Sequence, residues 1–172
     1  RRAWGFNLPL YALRSRGNWG VGDFVDLMKV IRWAGPLGAA FVGVNPLHAS
    51  GGRAAADPSP YAPTSRIFLN VLYLSLEAAP EMAACRQAQE LMASPEFQAA
   101  KARLAAASRV DYCAVRGLKR RVLKLLYETF CADHGGPEAP PRSSRGQEFA
   151  RFVAAGGKSL ARFGRFSALV DH

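Results

Sequence analysis

Between Trp33 and Gly52 the chain runs for 20 residues without a lysine, arginine, aspartate or glutamate. That stretch, "WAGPLGAAFVGVNPLHASGG", is long enough to be tested as a membrane span. It fails the test: Pro36, Asn45, Pro46 and glycines at 35, 38, 43, 51 and 52 would break a lipid-exposed helix. What remains is a helix end, a buried strand and a loop. "AAFVGVNPL" is a continuous apolar run bounded by turn residues, as expected of a strand covered on both faces of a parallel sheet. No membrane partner is expected. Arg1-Arg2 resembles a twin-arginine start, but no apolar region follows it.

The flanking segments fit a strand–helix–strand order. "WGFNLPLYAL" predicts a first short strand, limited on its N–H side by Pro9, and "RSRGNWGVG" a loop. Asp23, with Asp26 three residues on, forms a capping-box pattern at the start of a helix. Phe24, Leu27, Val30 and Ile31 make its apolar face, and it ends near Gly35-Pro36. Such a β–α–β order implies a right-handed crossover. "FLNVLYLSLE" is a second strand-like run whose place in the same sheet is open.

After Pro80 the texture turns to alanine, arginine and helical periodicity. Ser94-Pro95-Glu96 reads as a helix start with proline at the first helical position. From Asp111, Val115, Leu118, Val122, Leu125, Leu126 and Phe130 recur at helical spacing, with Arg116, Lys119, Arg120 and Lys124 assigned to the wet face. "DHGGPEAPPRSSRG" is a linker-like break. Ser144 with Gln147 predicts another capping box, Gly156-Gly157 a helix end, and Ser159 the start of a last helix. The expectation is an α/β chain of two parts, residues 1–80 and residues 81–172.

Composition bounds the chemistry. The chain has 172 residues, 49% of them apolar, enough for one domain with a core. A start at Arg1 points to a processed product or a piece of something longer. Net charge is +10, mostly from arginine, which raises an acidic partner, nucleic acid first. The competing account is a basic bias spread over solvated helix faces. Aromatic interleaving is poor and no helix-turn-helix or RNA-binding signature occurs, so no nucleic-acid partner is expected. Cys85, Cys113 and Cys131 match no zinc or redox motif and predict buried thiols in a reducing, cytoplasmic setting.

Catalytic signals are sparse. "GNWGVGD" sits between a strand and a helix, where phosphate can be cradled. Its glycine spacing is reversed from the dinucleotide pattern, and no acidic residue ends the second strand. A glycine-rich turn onto a capped helix is the plainer account. His48 has no second ligand at metal spacing, so neither metal nor cofactor is expected. Residues 1–80 hold only Asp23, Asp26, Asp57 and Glu77 as carboxylates, and none pair for acid–base work.

The stretch "DPSPYAPTSRIFLN", Asp57 to Asn70, is different. Three prolines stiffen a loop after a buried strand, where α/β proteins place ligand sites, and Tyr61 stands between Pro60 and Pro63. A braced aromatic near Ser59, Ser65 and Asn70 suits a sugar, whose apolar C–H face the ring can cover. A tyrosine that packs the loop down fits the composition equally.

Taken in order, "LPLYALRSRGNWGVGDFVDL", "GAAFVGVNPLHA" and "SPYAPTSRIFLNVLYLSLE" resemble 4-α-glucanotransferases of the amylomaltase type, in glycoside hydrolase family 77. "VDYCAVRGLKRRVLKLLYETF" and "FVAAGGKSLARFGRFSALVDH" are similar to the helical region of its larger members. The resemblance implies the start of a (β/α)₈ barrel followed by a mainly helical subdomain. It implies transfer of α-1,4-glucan segments between maltodextrins by retaining double displacement, using an aspartate nucleophile, a glutamate acid/base and a second aspartate. Those carboxylates lie in the family beyond the matched region, and a barrel alone takes ~250 residues. No catalytic residue is therefore expected in this chain, which should be inactive alone. The resemblance makes Tyr61 the ring beside the scissile bond, with Ser59 as its neighbour. It places Asn45, Pro46 and His48 at the catalytic face and has Asn70 hold the loop's return. Some members carry an aromatic just before this motif for a second glucan site; here Ala56 lies there. The alternative is a non-catalytic carbohydrate- or partner-binding module. Exposed sheet edges would also offer a route to self-association.

Overall fold

The first strand stops where proline removes its donor. In a computed structural model describing residues 2–50 and 59–170, β1 spans Gly5–Leu8, and Pro9 leads into a 3₁₀ turn at Leu10–Ala12. The loop that follows ends at Asp23. Asp23 Oδ1 accepts the Asp26 N–H at 2.9 Å while an Asp26 oxygen accepts the Asp23 N–H, so the expected capping box opens α1, Phe24–Ala34. The helix returns the chain to β2, Phe41–Val44, which pairs parallel with β1 in the register Gly5↔Phe41 to Leu8↔Val44.

Coverage of that unit differs from expectation. Phe41 is 53% exposed and no residue of β2 is fully buried. Ile31, assigned to the apolar face of α1, is also exposed, as is Trp33. The cause is strand count: among the described residues the β1–β2 sheet has two strands, so no further strand pairs at its edges.

The second strand-like run belongs to another sheet. β3, His48–Ala49, pairs antiparallel with β4, Ser65–Leu69. Residues 71–78 are not strand but 3₁₀ turns, Val71–Tyr73 and Leu76–Ala78. Asn70 causes the change: its side-chain oxygen accepts the Leu72 N–H at 3.0 Å and turns the backbone out of the ladder.

The rest is helical. A 3₁₀ turn at Pro80–Ala83 precedes α2, Arg86–Ala93; α3 is Pro95–Ala106, capped by Ser94, and α4 is Tyr112–His134, capped by Asp111. α5, Ser144–Val170, is broken at Gly157, whose φ of 47° and ψ of −139° interrupt the helix as its glycine pair predicted. The cap of α5 is Ser143 rather than Ser144, because Ser143 Oγ accepts the Gly146 N–H. With Gly146 three residues on, no capping box forms there.

Both halves build one core. Leu10, Trp19, Val21 and Leu72 from the first part meet Phe97, Leu104, Val115 and Val122 from the second. The apolar stripe of α4 is as expected, with one exception: Lys119, assigned to the wet face, is 3% exposed. It lies four residues after Val115 and three before Val122, which is inside the stripe. Cys113 is exposed rather than buried, since it projects from the first turn of α4 away from Val115. Among the described residues no helix is long and apolar enough to cross a membrane.

Candidate functional site

The β3–β4 ribbon is a stem. His48 faces Leu69 and Ala49 faces Ser65, with an irregularity between the two pairs. Thr64 donates its N–H to Ala49 O at 2.9 Å, and Asn70 donates its own to Leu47 O at 2.9 Å. Above the stem, Ser59 builds the turn that carries the tyrosine. Its hydroxyl oxygen accepts the Tyr61 N–H at 3.3 Å, and its carbonyl accepts the Ala62 N–H. The Tyr61 ring is 72% exposed, so it does not pack the loop down. Ala56 lies outside the described residues.

Asn45 and Asn70 work from below. Asn45 is 7% exposed; its oxygen accepts the Leu10 N–H at 2.7 Å, and its amide donates to Pro46 O and, at 3.0 Å, to the Tyr73 hydroxyl. These bonds tie the end of β2 to the turn after β1 and to the segment after β4. Asn70 Nδ2 donates to Ser50 Oγ at 2.8 Å, closing the two limbs of the stem on each other. His48 is partly buried within β3. The five residues picked from sequence thus divide. Ser59 and Tyr61 occupy the loop, His48 the stem, and the two asparagines hold its base.

Two residues of α4 that the sequence placed on its wet face also reach the stem. Arg116 on α4 donates to Ser50 O at 3.0 Å, and Lys119 donates to Leu72 O and Leu74 O, both at 2.6 Å. Burial pulls the Lys119 ammonium down to about 8, against the carboxylates of Asp23, Glu77 and Asp26, which favour its charge. Glu77 in turn accepts from Trp19 Nε1 at 2.8 Å and from Lys101 at 3.0 Å. A cavity of about 340 Å³ lies beside the stem between Asn70, Leu72, Arg116 and Phe163. Phe163 stacks on Phe68 at 4.4 Å, bringing the last part of α5 to β4.

"GNWGVGD" is structural, as the plainer account had it. Asn18 donates to Asp26 Oδ2 at 2.7 Å. Burial works against the Asp26 charge, but the Asn18 amide and the Ser15 hydroxyl outweigh it and hold that carboxyl below its usual range. The glycines serve close approach. A Cβ on Gly20, at φ +86°, would stand 2.3 Å from Leu104 O, and one on Gly22 would stand 2.1 Å from Leu10 O. Backbone occupies the space a phosphate would need.

The carboxylates of Asp23, Asp26, Glu77 and Glu81 are engaged in caps, a tryptophan contact and ion pairs, and none faces another across a cleft. The loop presents the Tyr61 ring to solvent above a hydrogen-bonded stem.

Comparison with known proteins identifies the chain. The family described as 4-alpha-glucanotransferase, glycoside hydrolase 77, matches residues 8–172. A 4-alpha-glucanotransferase of Haemophilus influenzae is 36% identical over 169 residues, covering 98% of this chain and 24% of the relative. One of Mycobacterium tuberculosis is 35% identical over 181 residues, covering 99% and 23%. The crystal structure of amylomaltase from Corynebacterium glutamicum superposes with a TM-score of 0.75 at 29% identity, over 92% of this chain and 21% of that one. The chain thus spans about a quarter of the length of these relatives. Matched along nearly all its residues, it belongs to the 4-alpha-glucanotransferase family, glycoside hydrolase family 77.

Proposed function

We propose that this chain forms the amino-terminal, glucan-recognising part of a cytoplasmic 4-α-glucanotransferase that moves α-1,4-glucan segments between maltodextrins. The β1–α1–β2 unit is the start of a (β/α)₈ barrel, and residues 81–172 form a helical subdomain beside the glucan cleft. The open edge of the two-stranded β1–β2 sheet, with Phe41 exposed on β2, is where further barrel strands pair. In their absence it also lets the isolated chain self-associate. The aspartate and glutamate pair of the retaining reaction comes from barrel strands beyond the matched region. No cofactor enters this scheme.

The observation that carries the reading is the exposed Tyr61 ring on a proline-braced, hydrogen-bonded loop. A glucose unit stacks its C–H face on that ring, and Ser59 and His48 lie on the same loop and stem to meet its hydroxyls. The test is calorimetric titration of the 172-residue chain with maltoheptaose. Tyr61→Ala should weaken binding about tenfold, a loss of ~1.4 kcal/mol. Equal affinity of the two chains overturns the assignment. In maltotriose the chain alone should release no glucose; release would show that the reacting carboxylates lie within it.

A further inference from the structure

Helix α4 reaches both limbs of the sugar loop's stem. Arg116 takes Ser50, the residue where β3 leaves for the loop, through its carbonyl at 3.0 Å and its hydroxyl at 3.4 Å. One helical turn on, Lys119 takes the carbonyls of Leu72 and Leu74, where the chain leaves β4. Asn70 bridges the limbs through Ser50 Oγ, and the same Asn70 accepts from Leu72 N–H. The loop is thus gripped at entry and exit by cations three residues apart on one helix, far from it in sequence.

We propose that Arg116 and Lys119 are positioning residues for glucan recognition, fixing the stem beneath Tyr61 from the helical subdomain without touching the sugar themselves. This deepens the functional reading above and rests on it for the sugar. Two physical features single the pair out. Charged donors to carbonyls form the stronger class of hydrogen bond, and Lys119 is shielded from water. Three of the four bonds also end on backbone carbonyls, so they constrain the path of the chain itself.

The decisive experiment combines amide exchange with titration on the 172-residue chain. In Arg116→Met, the amides of Thr64 and Asn70 should exchange about tenfold faster than in the wild type, while those of Leu27 and Val122 keep their rates. Maltoheptaose affinity should fall about fivefold, and Arg116→Lys should recover part of both effects. Lys119→Met tests the exit limb; should it fail to fold, the Arg116 pair still decides. Unchanged exchange at Thr64 and Asn70 in Arg116→Met overturns the proposal, as does faster exchange with unchanged affinity. The exchange arm needs no sugar. A wild-type chain that does not bind maltoheptaose defeats the functional reading and leaves the exchange rates to judge the brace.

Discussion

Trp19 and Tyr61 are both aromatic residues in segments rich in turn formers, "GNWGVGD" and "SPYAP", yet one is 2% exposed and the other 72%. Around Trp19 the side chains find inward partners: its indole N–H bonds Glu77, Asn18 bonds Asp26, and the ring packs edge-on against Phe97 at 5.2 Å. Around Tyr61 the bonds are made by backbone and by Ser59, leaving the ring free of the core. The first segment uses its side chains to join elements, and the second uses its backbone to display one. Local composition does not separate these roles; the destination of the polar groups does.

The largest effect that would test this contrast is on the buried ring. Trp19→Ala should cost ~3–5 kcal/mol, because Phe97 and Val21 cannot close over the void, and urea unfolding of the variant measures it directly. A loss under ~1 kcal/mol would erase the distinction between the two segments.

Next comes Lys119. Replacing it with methionine leaves two buried carbonyls without their donor and should cost ~1–3 kcal/mol at pH 7. Its pH dependence sharpens the point. The folded-state value is about 8 against 10.5 for the free side chain, so between these the unfolded chain binds the proton more tightly. Stability from this group therefore rises from pH 8 toward 10.5 and is lost as pH falls through 8. The carboxylates of Asp23, Glu77 and Asp26 act on this amine, and Lys101 shares the Trp19 ring with it. Urea midpoints at pH 7.5 and 9.5 should show the wild type gaining on Lys119→Met; a constant difference would mean that burial does not govern this amine.

The smallest stability effect belongs to Tyr61→Ala, within ~0.5 kcal/mol of the wild type. Loss of more than ~1 kcal/mol in the same unfolding assay would show that the ring supports the loop after all, and would break the comparison from the other side.

Much of the frame was legible in the sequence because its signals are local. Asp23 with Asp26, Ser94 before Pro95, and Gly157 act within one turn of chain, and each does what its type demands. The parallel pairing of β1 with β2 followed from a helix between two apolar runs. What went unread depends on distant partners or on competition between local bonds. That Phe41 would be left uncovered turns on how many strands adjoin it, and that Asn70 would divert "VLYLSLE" from the sheet turns on one side chain competing with a ladder. In the candidate site, Tyr61 and Ser59 stood out through proline spacing. Asn45 gave no sign that its amide would be used internally. Lys119 was placed on the wet face by residue type, although its spacing from Val115 and Val122 put it within the buried stripe.

The reach from Ser50 to Arg116, 66 residues, also sets an order of events at the ribosome. At roughly 5–20 residues per second, about 3–13 s pass between synthesis of the loop's entry and synthesis of the helix that anchors it. During that interval the proline-stiffened segment is shaped only by its own turns. Anything that pauses translation between the two would prolong the time for which an unanchored stem and an open apolar sheet are presented together to other nascent chains.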